Sequence, residues 1–289
     1  MLKTRIVGVL VVKGGIVVQS INFREYLPVG KPLIAVDYLN KWGIDEIVLL
    51  DIDATQEKRR PRFEGICGFS EFCHVPLSVG GGIRDVEDIQ RLIHSGADKV
   101  VLNTSAFKNP ELITEGAKLF GNQCIVVSMD AREVSPGKYE LFTNSGKDPT
   151  GVTPAEFAKR VEEYGAGEIF LNSIDRDGSK KGYDIELIKQ VMGEVSIPVI
   201  VCGGVGHPKH FKEAIDLNVS AVAAANFFHY TEHSPITLKS YLKSSQASVR
   251  LDSYATYEDF GFDHLGRAGK KEDSILDKLR FEYIPEEII

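Results

Sequence analysis

Short apolar runs rich in valine and isoleucine recur along the chain at residues 5–12, 46–52, 77–79, 99–102, 125–128, 168–171, 199–201 and 221–224. Between them lie stretches whose apolar residues return every three or four positions, among them 86–94, 154–164, 185–192 and 208–218. A near-continuous apolar strand is one buried on both faces, and helices between such strands cover the outer face of a parallel sheet. Eight units of this kind predict an α/β chain closed into a (β/α)8 TIM barrel. The competing arrangement is a doubly wound open sheet, for which fewer strands and some edge positions are expected.

The second half of the chain repeats the first. DEIVLLDIDA at 45–54 matches GEIFLNSIDRDG at 167–178, and VPLSVGGGIRDVEDIQRLIHSGADKVVLNTSAF is echoed by IPVIVCGGVGHPKHFKEAIDLNVSAVAAANFF. In both long segments a proline precedes a strand, glycines follow it, an amphipathic helix runs on, and a short strand ends in polar residues. A period of roughly 120 residues is far above that of a solenoid. It predicts two half-barrel repeats about an approximate two-fold axis, with two similar sites facing one another.

Composition narrows the class. The chain has 289 residues, 43% hydrophobic and 26% charged, as expected of a soluble globular protein. A net charge of −7 with no basic stripe argues against nucleic acid as a partner. The short basic spots Lys58-Arg59-Arg60 and Lys270-Lys271 read as solvated loops. No stretch approaches the length of a membrane span, and the opening MLKTRIVGVLVVKGG is interrupted too soon for a secretory signal, so it reads as a strand. The four cysteines (Cys67, Cys73, Cys124 and Cys202) lack C-x-x-C spacing, which favours neither zinc nor disulfides and fits a reducing cytoplasm. His207 and His210 have no third ligand in view and read as surface residues. No metal or cofactor is expected.

Two glycine clusters, Gly80-Gly81-Gly82 and Gly203-Gly204, each end a strand and precede a helix. Backbone N–H groups and a helix N-terminus can converge there on an anion, and a Cβ would hold phosphate oxygens away from the amides. A polar strand end follows each cluster: Asn103-Thr104 for the first and Ala225-Asn226 for the second, with Asp177-Gly178 completing the second site. The pattern predicts a doubly anionic, phosphorylated ligand; the plainer reading is that the glycines only make tight turns. Carboxylates stand at strand carboxyl ends as Asp51, Asp53, Asp130, Asp175 and Asp177. Asp130 closes the otherwise apolar run CIVVSMD and is the candidate general acid or base, with a cap or ion-pair role as the alternative. At the opposite end, Arg5, Glu46, Lys99 and Glu168 each begin an apolar strand. Two positive and two negative charges can pair there into a ring that offsets their desolvation, and on the residues alone this is a structural plug.

Together these residues resemble the cyclase (HisF-type) subunit family of imidazole-glycerol-phosphate synthase over residues 1–251. The resemblance is carried by VGGGIRD, GADKVVLNTSAFKNPELI, SGK, GAGEIFLNSIDRDGSKKGYD and the half-barrel repeat. It implies a partner, a HisH-like glutaminase, whose ammonia enters the amino-terminal face through a four-charge gate and crosses the barrel to a bisphosphorylated substrate. The gate falls on Arg5, Glu46, Lys99 and Glu168, and Asp98 on an acidic position facing the glutaminase. One phosphate site falls on Gly82, Asn103 and Thr104, and the other on Asp177, Gly178, Gly203 and Ala225; Gly81, Gly204 and Asn226 remain candidates on the pattern of the residues alone. Asp130 matches one of two catalytic aspartates.

The departures are as informative. The family's first strand ends Leu-Asp-Val-Lys-Asp-Gly, with its first aspartate the second catalytic carboxylate; here the segment is Leu10-Val11-Val12-Lys13-Gly14-Gly15. Val11 cannot transfer a proton, and losing a general acid–base group costs ~10²–10⁴ in rate. Gln19 stands where a lysine is usual, and Asn172 and Asn226 replace hydroxyl residues. The delivery parts are kept while the cyclisation chemistry is dismantled. This resembles a HisF-like subgroup that works beside a glutaminase and a sugar amidotransferase, turning acetamido into acetamidino groups on surface-polysaccharide sugars. A C-terminal extension at 252–289, with a helix expected over 271–281, supports that subgroup; it can cover the mouth, bind the amidotransferase or simply pack on an outer helix. The implied ligand is then a phosphorylated or nucleotide-sugar small molecule. Two alternatives stay open: a histidine-pathway cyclase using Asp130 alone, and a non-catalytic ammonia conduit or scaffold.

Overall fold

The apolar runs become eight parallel strands in the computed structural model, which describes residues 3–276 apart from 71, 232, 254, 258 and 259. In chain order they are Arg5–Lys13, Glu46–Asp51, Leu77–Gly80, Lys99–Leu102, Ile125–Ser135, Glu168–Ser173, Val199–Cys202 and Ala221–Ala224, called here the first to the eighth strand. Each pairs in parallel with the next, and the eighth returns to the first with Arg5 opposite Ala221. Closure removes the edges an open sheet would leave, so the fold is a TIM barrel. Alternation along each strand then sorts the side chains. Ile6, Leu10, Ile47 and Leu49 face outward into the main core beneath the helices, while Val7, Val9 and Val48 face the barrel axis in a separate cluster.

Helices Val86–His94 and Ile185–Met192 run as the periodicity predicts. Pro154–Glu163 and Pro208–Ile215 stop one and three residues short of the expected ends. Their starts are fixed locally. Asp85 accepts from the Asp88 amide, Asp184 from that of Leu187, and Thr153 forms a reciprocal capping box with Glu156.

Two hairpins escape the apolar pattern. Ile16–Ile21 pairs antiparallel with Glu25–Gly30, and the fifth strand continues past 128 to Ser135, where it folds back against Lys138–Thr143. Both arms rise beyond the barrel, where one face meets solvent and a continuous apolar run is not required. Of the helix expected over 271–281, Asp273–Leu276 is helical, and 277–281 lie outside the described residues. Among the described residues no helix is long and apolar enough to cross a membrane.

Candidate functional site

Arg5, Glu46, Lys99 and Glu168 do meet at the amino-terminal end of the barrel, and they form a closed ring. The two Arg5 terminal nitrogens donate to Glu46 and to Glu168, and Lys99 Nζ donates to the same two carboxylates at 3.0 and 2.8 Å. Ser78 Oγ adds a bond of 2.9 Å to Glu46. Glu46 is 1% exposed and Glu168 5%, and the pairing offsets the cost of taking these groups out of water. Burial works against the Arg5 guanidinium, but Glu168 and then Glu46 hold its pKa above the ordinary arginine value. Beside the ring, Asp98 is exposed, with one carboxylate oxygen accepting from the Leu77 amide at 2.8 Å.

Above the ring the barrel axis is apolar. Val7, Val9, Val48, Val101, Val126, Phe170, Ile200, Ala221 and Ala223 fill the interior, with Val11, Leu50, Cys202 and Ala225 half-buried at its upper edge. The first polar groups encountered are at the carboxyl end, in a cavity of about 510 Å³ lined by Val11, Asn103, Thr104, Ser128, Asp130 and Asn172, among others. Asp130 is buried there. Asn103 and Asn172 donate to its two oxygens at 2.9 and 3.4 Å. Burial raises its pKa to about 6, the two amides opposing and Asp177 adding to the rise. A carboxyl that titrates near neutrality can give or take a proton there. Val11 lines the same cavity and brings no second carboxyl.

The other strand-end carboxylates are committed elsewhere. Asp51 is paired with Arg59 at 2.7 Å, Asp53 accepts from Lys13 and the Gly14 amide at 2.8 and 2.6 Å, and Asp175 accepts from the Glu133 amide at 2.8 Å. Asp177 accepts from Ser20 Oγ at 2.6 Å and from the Phe23 amide at 3.1 Å, so it ties the first hairpin across the mouth. Asn226 Nδ2 assists by donating to the Ser20 carbonyl at 2.8 Å. These two residues, expected at an anion site, line it while spending those groups on the hairpin.

The glycine clusters sit at equivalent places in the two halves. Gly81, Gly82, Gly203 and Gly204 all have positive φ. A Cβ at Gly81 would strike the Asp51 carbonyl, and one at Gly203 the carbonyl of Ser173, the residue that matches Asp51 in the repeat. Backbone packing alone therefore demands glycine, as the plainer reading holds. The expectation about helix ends needs correction. Asp85 and His207 already cap the helices that follow, with His207 Nδ1 accepting from the Lys209 amide at 3.0 Å. What faces the glycines instead are the short turns Thr104–Lys108 and Asn226–Phe228, whose first residues line the same two cavities.

The second cavity, of about 570 Å³, shares Asp177, Cys202 and Ala225 with the first, so the mouth is one trough with two ends. Gly178, Gly203, Gly204 and Asn226 line it together with Gln19, Lys180, Tyr230 and, from the C-terminal extension, Tyr257, Leu265 and Arg267. Lys58, Arg84 and Lys108 line the first end. Lys58 belongs to the basic run read as a solvated loop, and Arg84 and Lys108 escape a reading of the sequence because single basic residues in loops carry no pattern. Tyr26 escapes it too. Its hydroxyl is pushed up to about 12 by burial and by Asp177, Asp53 and Asp130, and it donates to the Phe23 carbonyl at 2.9 Å.

Two further corrections follow. His210 is buried, its Nδ1 accepting from the Gly206 amide at 3.3 Å, because the helix it sits on turns that face inward. Arg59 and Arg60 are not a merely solvated loop, since Arg60 forks Asp85 and buried Asp88, both at 2.6 Å. Cys73, Cys124 and Cys202 are free thiols, and among the described residues no cluster of His, Cys, Asp and Glu is placed to hold a metal.

Comparison with known proteins bears on the family and the fold. Residues 5–234 match the family model described as "Histidine biosynthesis protein". The chain is also 45% identical over 269 residues to a Vibrio vulnificus (strain YJ016) protein described as "Putative imidazole glycerol phosphate synthase subunit hisF2", covering 92% of this chain and 98% of that one.

Proposed function

We propose, since the chain belongs to the histidine biosynthesis protein family, that it is the synthase-type subunit of a glutamine amidotransferase. It receives ammonia from a separate HisH-like glutaminase and passes it along the barrel axis, for acetamido-to-acetamidino conversion on a phosphorylated or nucleotide-linked sugar. The observation that carries this reading is the contrast between the two ends: a complete four-charge ring below, and one buried carboxyl above where cyclisation would use two.

Under this reading the glutaminase docks over the amino-terminal rim, with exposed Asp98 within its footprint. The ring must part to admit ammonia, and the valine-rich interior admits the neutral molecule while the cost of desolvating a charge holds back ammonium. At the mouth, Asp130 near pKa 6 moves the proton, and Gly81, Gly82, Asn103, Thr104 and Gly178, Gly203, Gly204, Ala225 line the two ends of a doubly anionic ligand's trough.

The test is a cyclase assay on the aminoimidazole-ribonucleotide-forming substrate with ammonium salt, comparing the native chain with Val11→Asp. No turnover by the native chain, together with complex formation with a glutaminase, is the expected result. Near-normal turnover would establish instead a histidine-pathway cyclase that uses Asp130 alone, a reading favoured by the name given to the Vibrio relative. If product yield in the sugar reaction survives Asp130→Asn but not disruption of the ring, the chain is a conduit rather than a catalyst.

A further inference from the structure

The two ends of the mouth differ in what encloses them. Among the described residues the first cavity is lined by barrel strands, their loops and the first hairpin, whereas Tyr257, Leu265, Gly266, Arg267 and Ala268 of the C-terminal extension help to wall the second. This stretch is tied to the barrel at several points. His207 Nε2 meets the His264 carbonyl at 3.2 Å, Phe262 stacks edge-on against Tyr241 at 5.4 Å, and the Ser240 hydroxyl bonds the Thr256 carbonyl. Gly266 lies so close to Pro208 that a Cβ would come within 2.7 Å of its ring. A bridge between Phe262 and Ala268 closes the loop on itself.

At the turn of that loop Asp263 organises Arg267. Its carboxylate accepts from the Leu265 and Arg267 amides, both at 2.9 Å, and from Arg267 Nε and Nη2 at 2.9 and 2.8 Å. These backbone and guanidinium bonds hold the Asp263 carboxyl at about 2, so it stays ionised and the loop stays set. The two guanidinium bonds occupy one side of a five-donor fork. Arg267, its side chain 70% exposed, lines the cavity together with Gly203, Gly204 and Lys180.

We infer that the extension completes the second anion site, and that Arg267 and the glycine turn together bind the phosphoryl group of the ligand. The ligand class is an organic phosphate whose carrier lies along the trough toward Asp130. A 570 Å³ cavity with Tyr230, Tyr257 and Leu265 in its wall is far roomier than a phosphate ion requires. This deepens the proposed function in one respect only, that the second cavity takes the anionic end of the substrate; it does not depend on ammonia delivery.

The experiment is a titration of the full chain with inorganic phosphate at low ionic strength, followed site by site through the amide resonances of Gly203 and Gly204 and, separately, of Gly81 and Gly82. Arg267→Gln keeps the bulk of the side chain and Arg267→Lys keeps the charge. A charge-assisted bond lost from a partly solvated site weakens binding by about tenfold. The expected result is that loss at Gly203–Gly204 in Arg267→Gln, partial recovery in Arg267→Lys, and unchanged affinity at Gly81–Gly82. Equal affinity in native chain and Arg267→Gln, no phosphate response at Gly203–Gly204, or equal weakening at both ends would each overturn the inference. A chain that shows the expected pattern yet binds no glutaminase would retain this inference and lose the ammonia reading.

Discussion

Asp130 is a carboxyl held at a cost. With its folded pKa near 6, above the 3.8 of an unperturbed aspartate, its contribution to stability is greatest below pH 4 and is lost as pH rises through 6. Keeping the ionised form buried at pH 8 costs about 3 kcal/mol. Asp130→Asn is therefore expected to raise the melting temperature at pH 8 and to flatten the stability profile between pH 4 and 6, while abolishing whatever proton transfer the mouth performs. A variant less stable than the native chain at pH 8 would mean the carboxylate is better solvated than its burial suggests. Val11 is the complementary residue. Val11→Asp puts a second carboxyl into the same cavity, and a rise of tenfold or more in ammonium-dependent cyclase rate would show that the older substrate still fits. The singling out of Asp130 was legible in the sequence because a charge ending an apolar strand breaks a strong pattern. The commitment of Asp51, Asp53, Asp175 and Asp177 to neighbouring loops was not, because their partners lie up to 157 residues away along the chain.

The first hairpin is an element whose position rests on a few bonds. Asp177 takes Ser20 Oγ and the Phe23 amide, the Asn22 amide donates to the Asp177 carbonyl at 3.1 Å, and Tyr230 donates to Gln19 at 3.0 Å. Removing the carboxylate in Asp177→Ala leaves the barrel intact but deletes two of these ties, worth about 1–3 kcal/mol locally. Faster amide exchange confined to residues 16–30 is the expected outcome, and exchange unchanged there would assign the hairpin's placement to its own strands. Neither hairpin was visible in the apolar periodicity, since a two-stranded arm over a barrel mouth alternates weakly and uses glycine and asparagine at its turns. The barrel strands were legible for the opposite reason: burial on both faces leaves little choice of residue.

Over the whole molecule, the repeat read from the chain becomes two halves with matching glycine turns, matching carbonyl contacts beneath them and unequal walls above. The unequal walls were legible only as one of three places open to the extension, which matches nothing in the other half. Stability is shared with the ring at the amino-terminal end. Lys99→Met leaves two buried carboxylates to one guanidinium and is expected to cost about 3–5 kcal/mol in denaturant unfolding. Under the proposed function it also lowers glutamine-dependent product formation while sparing the ammonium-dependent rate; equal loss of both would assign the ring to stability alone.

The ring sums to zero charge, and among the described residues nothing polar lies between it and the mouth except the upper cavity's own groups. The barrel is thus an electrical insulator as well as a support. Hydronium and ammonium face the same desolvation barrier along its axis. The proton activity felt by Asp130 is accordingly set by the solvent and ligand at its own end, whatever acid is released at the other. Two reactions joined through such a barrel can exchange a neutral solute and still run at different local acidities.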